Sequence, residues 1–222
     1  MAVALDTRTR ILDATIDLLA SGGDSAVRLA LVAEALDISE PSIYHHFKNR
    51  SELITEAYSE WYWRCLKLEI PVGNIMMLVD TKEDYLRAVL KSMSWSYKPD
   101  RIDTRSIRIS VLGAAQTNPE LREKINAVNE KFLTSIADAL ITAQQKGWVR
   151  ADLDPMAAAY WLHGQINGRV VAEMNPGVVD LEKWDAVSYE VVRHLLACDT
   201  QIAQVATSDV CITTTVAELL KR

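Results

Sequence analysis

Apolar side chains recur at intervals of three and four along most of the chain, which is the spacing of an α-helix that buries one face. The first predicted helix shows this pattern at Ile11, Ala14, Leu18 and Leu19. The longest helix is predicted to begin at Asn118-Pro119-Glu120, a capping residue followed by a first-turn proline and an acid, and to end near Gly147. Alternation of apolar and polar residues, typical of strands, is almost absent. The pattern therefore predicts an all-α protein.

The other helices are predicted from the same spacing and from capping residues. They cover 28–36, a short stretch from Ser39, a segment that starts after Arg50, 82–97, 103–116, 155–174 and 181–197. Residues 70–80 are predicted as a loop or a broken helix, and 216–221 as a short final helix. Because short helices precede a set of longer ones, the order suggests a small domain followed by a larger one.

Two short helices joined by four residues lie between Leu29 and Arg50, and this arrangement predicts a helix-turn-helix. The small residue Ala33 stands where the helices would cross, and apolar residues occupy the packing positions Val32, Leu36, Ile38 and Ile43. Ser39 can cap the second helix. Its outward residues are unusually polar and aromatic: Glu40, Pro41, Ser42, Tyr44, His45 and His46, followed by Lys48 and Arg50. In a helix-turn-helix this surface meets the major groove of DNA.

Three ordered pieces of sequence, TRTRILDATIDLLA, VAEALDIS and SIYHHFKNRSELI, add a resemblance to this prediction. Together they resemble the DNA-binding domain of the tetracycline-repressor (TetR) family of bacterial regulators. The resemblance implies a three-helix DNA-binding domain at 1–50, joined through a fourth helix to a helical ligand-binding and dimerisation domain at 51–199, with a tail at 200–222. It also implies a ligand-responsive regulator, most simply a repressor, that binds a palindromic operator as a homodimer.

The resemblance also implies which residues contact DNA. Phosphate contacts are expected from Arg28, Tyr44, His45, His46, Lys48 and Arg50. Base edges are expected to be contacted by Glu40, Pro41 and Ser42. Ser39, at the start of the same helix, is expected in the DNA-binding surface with them. Phe47 is expected in the core, and a solvated face is the alternative for the two histidines. They cannot form a metal pair, because neighbours on a helix point about 100° apart. The family often has glycine where this chain has Asp37, so a positive φ is expected there.

A ligand pocket is expected among the later helices, where aromatic and methionine side chains gather with a few polar ones. The pocket residues predicted are Tyr58, Tyr62, Met93, Trp95, Tyr97, Gln116, Phe132, Trp161, His163, Gln165 and Asn167. Such a mixture suits a small apolar or aromatic effector held by a few hydrogen bonds. Ordinary core packing is the alternative for each of them. Three arginines at helical spacing, Arg101, Arg105 and Arg108, either attract an acidic ligand or form a solvated or salt-bridged face.

The last two long helices are predicted to form the dimer interface. One stripe carries Trp161, Gly164, Gly168 and Val171, and the next helix supplies Val187, Val191 and Leu195. Two glycines on one helical face suggest a close approach of another helix, since each costs about 1 kcal/mol relative to alanine. Packing of these glycines within the chain is the alternative.

Composition and charge restrict the remaining possibilities. A formal charge of −6 opposes broad contact with nucleic acid and keeps open an all-helical ligand-binding or scaffolding protein that does not bind DNA. Three widely separated cysteines predict neither a disulfide framework nor a zinc site, and no cofactor is expected. Catalytic motifs such as a phosphate loop, HExxH or a nucleophile elbow are absent, so no enzyme is predicted. The chain lacks a long apolar run and a signal peptide, which suggests a cytoplasmic protein without a membrane partner.

Overall fold

The computed structural model describes residues 6–67, 76 and 79–197, and within these ranges the chain is all-α with no strand. Its α-helices are α1 (Thr7–Gly22), α2 (Leu29–Leu36), α3 (Glu40–Tyr44), α4 (Arg50–Lys67), α5 (Lys82–Ser96), α6 (Ile102–Thr117), α7 (Pro119–Gln145), α8 (Pro155–Glu173) and α9 (Leu181–Leu196). The helices predicted from apolar spacing are confirmed to within a few residues. Most of the predicted loop at 70–80 and all of the helix predicted at 216–221 lie outside the described residues.

The predicted helix-turn-helix is formed by α2 and α3. Asp37 ends α2 in the left-handed region, with φ 53° and ψ 48°, so the positive φ expected at this position is confirmed. An aspartate tolerates this conformation better than most side chains because it is short and polar. Ser39 is the residue before α3, as predicted, but its hydroxyl does not cap the helix. That hydroxyl lies 2.9 Å from the Ser42 hydroxyl, so the two serines bond to each other instead.

Two apolar clusters form the core. The first cluster contains residues of the four helices α1, α2, α3 and α4, together with residues of α6 and of the start of α7. It includes Ile11, Val32, Ile43, Phe47 and Leu53. The second joins α5, α7, α8 and α9. Phe132, near the middle of α7, packs against both clusters. The long helix α7 is therefore the element that the two cores share.

The fourth helix joins the two parts of the molecule through ion pairs. Glu56 lies 3.2 Å from Arg8 of α1 and 2.9 Å from Lys124 of α7. Arg64 lies 2.6 Å from Asp13 of α1. α4 also buries Leu53 and Ala57 in the first cluster, so it packs into the same core as the helix-turn-helix.

None of the helices in the described part of the chain is both long and apolar enough to cross a membrane.

Candidate functional site

The outward face of α3 is open to solvent. Glu40, Pro41, Tyr44, His45 and His46 are exposed and Ser42 is partly exposed. On the inner side Ile43 is buried, as is Phe47 just beyond the helix, where the guanidinium of Arg8 lies 5.1 Å from the ring centroid. Phe47 is therefore a core residue, as expected. Two apolar anchors thus hold a very short helix while its polar face remains available.

The two cations nearest this face differ in what they contact. Lys48 is exposed, with its ammonium group 3.8 Å from Glu52. Arg50 donates from Nε to the carbonyl oxygen of Val27 over 2.7 Å, and from Nη2 to the carbonyl oxygen of Asp24. These carbonyls immediately precede α2, so Arg50 fastens α4 to the start of the helix-turn-helix. Arg28, the residue before α2, is exposed.

Tyr58, a residue of α4, also contacts the segment that precedes α2. Its hydroxyl donates to Asp24 Oδ1 over 2.6 Å, and its ring is buried. Burial together with the Asp24 carboxylate raises the pKa of this hydroxyl well above its usual value. Tyr58 therefore belongs to the joint between α4 and the segment before α2.

A narrow cavity of about 50 Å³ lies among α5, α6, α7 and α8. Its apolar lining consists of Val89, Met93, Phe132, Ile136, Leu162 and Ile166, and its polar lining of Ser92, Ser96, Arg108 and His163. Arg108 is fully buried. Burial, with a smaller contribution from the charge of Arg108, lowers the pKa of His163 to about 3. The histidine in this wall is therefore neutral at physiological pH.

One tyrosine of α4 reaches the cavity wall. The Tyr62 hydroxyl donates to Asn129 Oδ1 of α7 over 2.8 Å and lies 3.4 Å from Nε2 of His163 on α8. Tyr62 is fully buried, and this burial raises the pKa of its hydroxyl to about 12. The side chain thus connects the helix that carries the helix-turn-helix to the wall of the cavity.

Comparison with known proteins agrees with this architecture. Residues 11–57 match the model of the family described as bacterial regulatory proteins, tetR family. The chain is 24% identical over 179 residues to the fatty acid metabolism regulator protein of Bacillus subtilis (strain 168), which covers 81% of this chain and 87% of that protein. Residues 11–57 form a TetR-family domain.

Solved structures show the same fold over most of this chain. FadR from Bacillus subtilis in complex with stearoyl-CoA superimposes with a TM-score of 0.61 at 20% identity, over 85% of this chain and 99% of that one. A transcriptional regulator from Saccharomonospora viridis in complex with choline gives a TM-score of 0.62 at 22% identity, over 85% and 96% of the two chains. Because one of these proteins holds an acyl thioester and the other a cation, the fold alone does not set the ligand.

Several residues predicted for the ligand pocket do not line the cavity among α5, α6, α7 and α8. Met93, Phe132 and His163 line it, and Tyr62 contacts its wall. The others lie elsewhere: Tyr58, Trp95, Tyr97, Gln116, Trp161, Gln165 and Asn167. The helical spacing identified the buried faces correctly for some of them, but it could not show which helix each face would meet.

The reasons differ from residue to residue. Trp95 lies under Lys98 and Arg101, whose cationic groups are 4.3 and 4.7 Å from its ring centroid. The Tyr97 hydroxyl donates to Gln165 Oε1 over 2.7 Å, and its ring packs on Trp184 of α9. Asn167 is buried without lining the cavity. Gln116 and Trp161 are exposed, which places them on the outside of the molecule.

In the arginine face predicted as solvated or salt-bridged, Arg105 and Arg108 are buried and Arg101 is partly exposed. Arg105 pairs with the Glu173 carboxylate, so the salt-bridged alternative is confirmed for this residue. Glu173 also pairs with Arg169, which in turn donates to both carboxylate oxygens of Asp185 over 2.7 and 3.0 Å. This network ties α6 to α8 and α9. Arg108, one turn after Arg105, lines the cavity, a location that its spacing in the sequence did not reveal.

An apolar surface covers the outer faces of α8 and α9. The predicted interface residues Trp161, Gly164, Gly168, Val171, Val187 and Val191 are all exposed, and Leu195 is partly exposed. A Cβ atom placed on Gly164 or Gly168 would contact nothing within 4 Å. The two glycines therefore do not pack within the chain, and the alternative of internal packing is wrong. Met174 and Val178, which the sequence prediction did not include, are also exposed and lie just beyond the end of α8.

Proposed function

We propose that this TetR-family regulator is a repressor that binds a palindromic operator as a homodimer and is released by a small apolar effector in the cavity. The observation that carries the proposal is the outward face of α3. Its polar side chains are exposed, and its inward residue Ile43 and the adjacent Phe47 are buried. A helix held in this way can enter the major groove of DNA without disturbing the core.

The side chains around α3 divide into two roles. Glu40, Pro41 and Ser42 stand at the amino end, which is the end that meets base edges in a helix-turn-helix. Glu40 can accept from a cytosine amino group, and Pro41 can contact a thymine methyl group. Tyr44, His45, His46, Lys48 and Arg28 are placed for phosphate. Since the Arg50 guanidinium already donates to two backbone carbonyls, its main role is to position the reading surface.

The apolar surface of α8 and α9 supports dimerisation. A face that exposes Val171 and Val187 is costly in water, and a second copy of the chain would cover it by two-fold symmetry. Gly164 and Gly168 would let the partner's helix approach closely. Two reading helices related by a two-fold axis match a palindrome with half-sites one helical turn apart.

The cavity supports control by a ligand. It lies in the domain that we assign to residues 51–199, beyond the boundary at residue 50, and its wall contacts Tyr62 of α4. A fatty acid metabolism regulator is among its relatives, and a FadR structure of this fold contains stearoyl-CoA. We assign to this chain ligand and DNA binding without a catalytic step, in the cytoplasm, where bacterial DNA is found.

Selection from random double-stranded DNA with the full-length protein tests the function. Enrichment of a palindrome with half-sites about one helical turn apart would support a dimeric regulator. If no sequence were enriched even at low salt, DNA recognition would be refuted and the all-helical ligand-binding alternative would be favoured.

Two variants then test the division of roles on α3 with the selected DNA. Lys48→Ala should weaken binding to all sequences alike and make the slope of log K against log salt shallower by about one unit. Lys183→Ala is the matched control, since the side chains of Lys48 and Lys183 are 87% and 86% exposed and each ammonium lies 3.8 Å from an acid. Glu40→Ala should instead alter the preferred base. Equal weakening at every sequence would refute its role in base contact.

A further inference from the structure

The cavity among α5, α6, α7 and α8 has both a polar and an apolar lining. Ser92 and Ser96 lie one turn apart on α5, Arg108 is on α6, and His163 is on α8. The apolar lining comes mainly from Phe132, Ile136, Leu162 and Ile166, with Val89 and Met93. An occupant that fits must therefore combine an apolar body with a group that accepts hydrogen bonds.

The charge of the lining is positive. Arg108 contributes a guanidinium cation to the lining. His163 adds no charge, because burial and the neighbouring Arg108 lower its pKa to about 3. Among the described residues that line the cavity, none is acidic. A ligand entering the cavity thus meets a permanent cation in surroundings of low polarity.

This charge selects among possible head groups. A carboxylate can accept two parallel hydrogen bonds from a guanidinium, which is the geometry that arginine favours. The Ser92 hydroxyl can add a further donor, whereas the Ser96 hydroxyl already donates to the Ser92 carbonyl oxygen. An ammonium head group would be repelled by the guanidinium, and an alcohol offers it one uncharged oxygen in place of the two oxygens of a carboxylate. The lining therefore favours an anion.

We propose that this cavity binds an amphiphilic monocarboxylate, with the carboxylate at Arg108 and the apolar chain against Phe132 and Leu162. That such a compound acts as the effector depends on the proposed function, whereas its binding does not. The chemistry extends beyond the apolar or aromatic effector expected from the sequence, because it specifies one negative charge.

The size of the cavity adds a condition to binding. A volume of about 50 Å³ holds little more than one or two water molecules, each of which occupies roughly 30 Å³ in the liquid. An eight-carbon chain can enter only if the surrounding side chains or helices move apart. Met93 is unbranched and adapts readily, but Phe132 packs against both cores and His163 contacts Tyr62. Occupation would therefore displace groups that lead to α4.

Calorimetric titration of the full-length protein without DNA tests the proposal at pH 7.4. The probes are octanoate, 1-octanol and octylamine, which share a chain length and differ in head-group charge, and dodecanoate as a longer carboxylate. We expect a carboxylate to bind at least tenfold more tightly than 1-octanol, and octylamine to bind least. Equal or tighter binding of 1-octanol, or no binding of either carboxylate at 1 mM, would overturn the proposal.

Variants of Arg108 test whether this residue binds the carboxylate. Arg108→Met should reduce carboxylate affinity at least tenfold and leave 1-octanol affinity unchanged, whereas Arg108→Lys should retain the preference for the anion. Arg101→Met is the control, because Arg101 belongs to the same set of three arginines but does not line the cavity. This variant should bind carboxylates as tightly as the wild type. Unchanged carboxylate affinity in Arg108→Met would show that the carboxylate lies elsewhere. If this variant did not fold, the head-group series on the wild type and Arg108→Lys would still decide the matter.

The calorimetric titration and the DNA selection test two separate proposals, so either one can fail without the other. Carboxylate binding without an enriched DNA sequence would refute the regulator and leave the cavity proposal standing. An enriched palindrome without carboxylate binding would refute the ligand class and leave the regulator standing.

Discussion

The Tyr62 hydroxyl of α4 lies 3.4 Å from Nε2 of His163, a residue of α8 in the cavity wall. The same hydroxyl gives its single proton to Asn129 Oδ1, so it can only accept from the histidine. His163 must therefore carry its proton on Nε2, which agrees with a neutral ring. A ligand that displaces His163 would act directly on the helix to which the DNA-reading surface is fastened.

Removal of this hydroxyl should lower stability. Tyr62→Phe leaves Asn129 and His163 without their common partner, and we expect the free energy of unfolding to fall by about 1–2 kcal/mol. Urea denaturation measures the change. The matched control is Tyr160→Phe, since the Tyr160 side chain is half exposed and should tolerate the loss within about 0.5 kcal/mol. Equal effects of the two substitutions would contradict a role for the Tyr62 contacts.

His163 should make the protein sensitive to mild acid. Its pKa is about 3 in the folded chain, against an ordinary value of 6.5. Below pH 6.5 the unfolded chain binds a proton that the folded chain excludes, so stability falls as the pH falls. This group alone should remove about 2 kcal/mol between pH 6.5 and pH 5, because one pH unit corresponds to about 1.4 kcal/mol.

Comparison of two histidine variants isolates this effect. His163→Gln should flatten the decline of unfolding free energy between pH 6.5 and pH 5. His194→Gln, which changes an exposed side chain on α9, should leave the decline unchanged. Parallel pH profiles for His163→Gln and the wild type would show that another group causes the acid sensitivity.

Gly168 should matter to the dimer and not to the single chain. Leucine at this position meets open space within the chain and favours a helix by about 0.8 kcal/mol over glycine. Gly168→Leu should therefore form a stable chain that dimerises more weakly, as sedimentation velocity would show. Gly113→Leu is the control, since Gly113 lies inside α6 with equally open surroundings and should leave the oligomeric state unchanged. An undisturbed dimer in Gly168→Leu would exclude close helix approach at this glycine.

Glu173 should be essential to the packing of α6, α8 and α9. Its side chain is only 3% exposed and pairs with both Arg105 and Arg169. Glu173→Gln would leave two buried guanidinium groups with one carboxylate, that of Asp185, and should cost about 3–5 kcal/mol in thermal or urea unfolding. Glu190→Gln changes a carboxylate that is 66% exposed and should cost less than about 0.5 kcal/mol. A similar small loss for both would mean that water compensates the buried charges.

The helices and the exposed outward face of α3 could be predicted because their signals are local. A periodic apolar face, the capping residue Asn118 and the helix-terminating Gly147 each affect residues only a few positions away. The same holds for α3, where Ile43 and Phe47 anchor a helix whose other residues are polar. Such short-range rules need no knowledge of distant contacts.

The cavity could be predicted only in part. Met93, Phe132 and His163 were identified because apolar and aromatic side chains in long helices are common at ligand sites. Tyr97 and Trp95 carry the same local signal, yet one packs against α9 and the other lies under two cations. Helical spacing shows which residues share a face, but the partner of that face depends on how the helices cross.

The sequence by itself determined that the chain is all-α, that a helix-turn-helix lies near its start, and that α8 and α9 carry an apolar stripe with two glycines. Only the tertiary structure decided where Arg105 and Arg108 lie, because identical guanidinium groups one turn apart end in different surroundings. Arg105 meets Glu173, which is far away in the chain, and Arg108 meets the cavity. The physical reason is that burial and charge pairing are long-range properties, set by helix packing and not by neighbours in sequence.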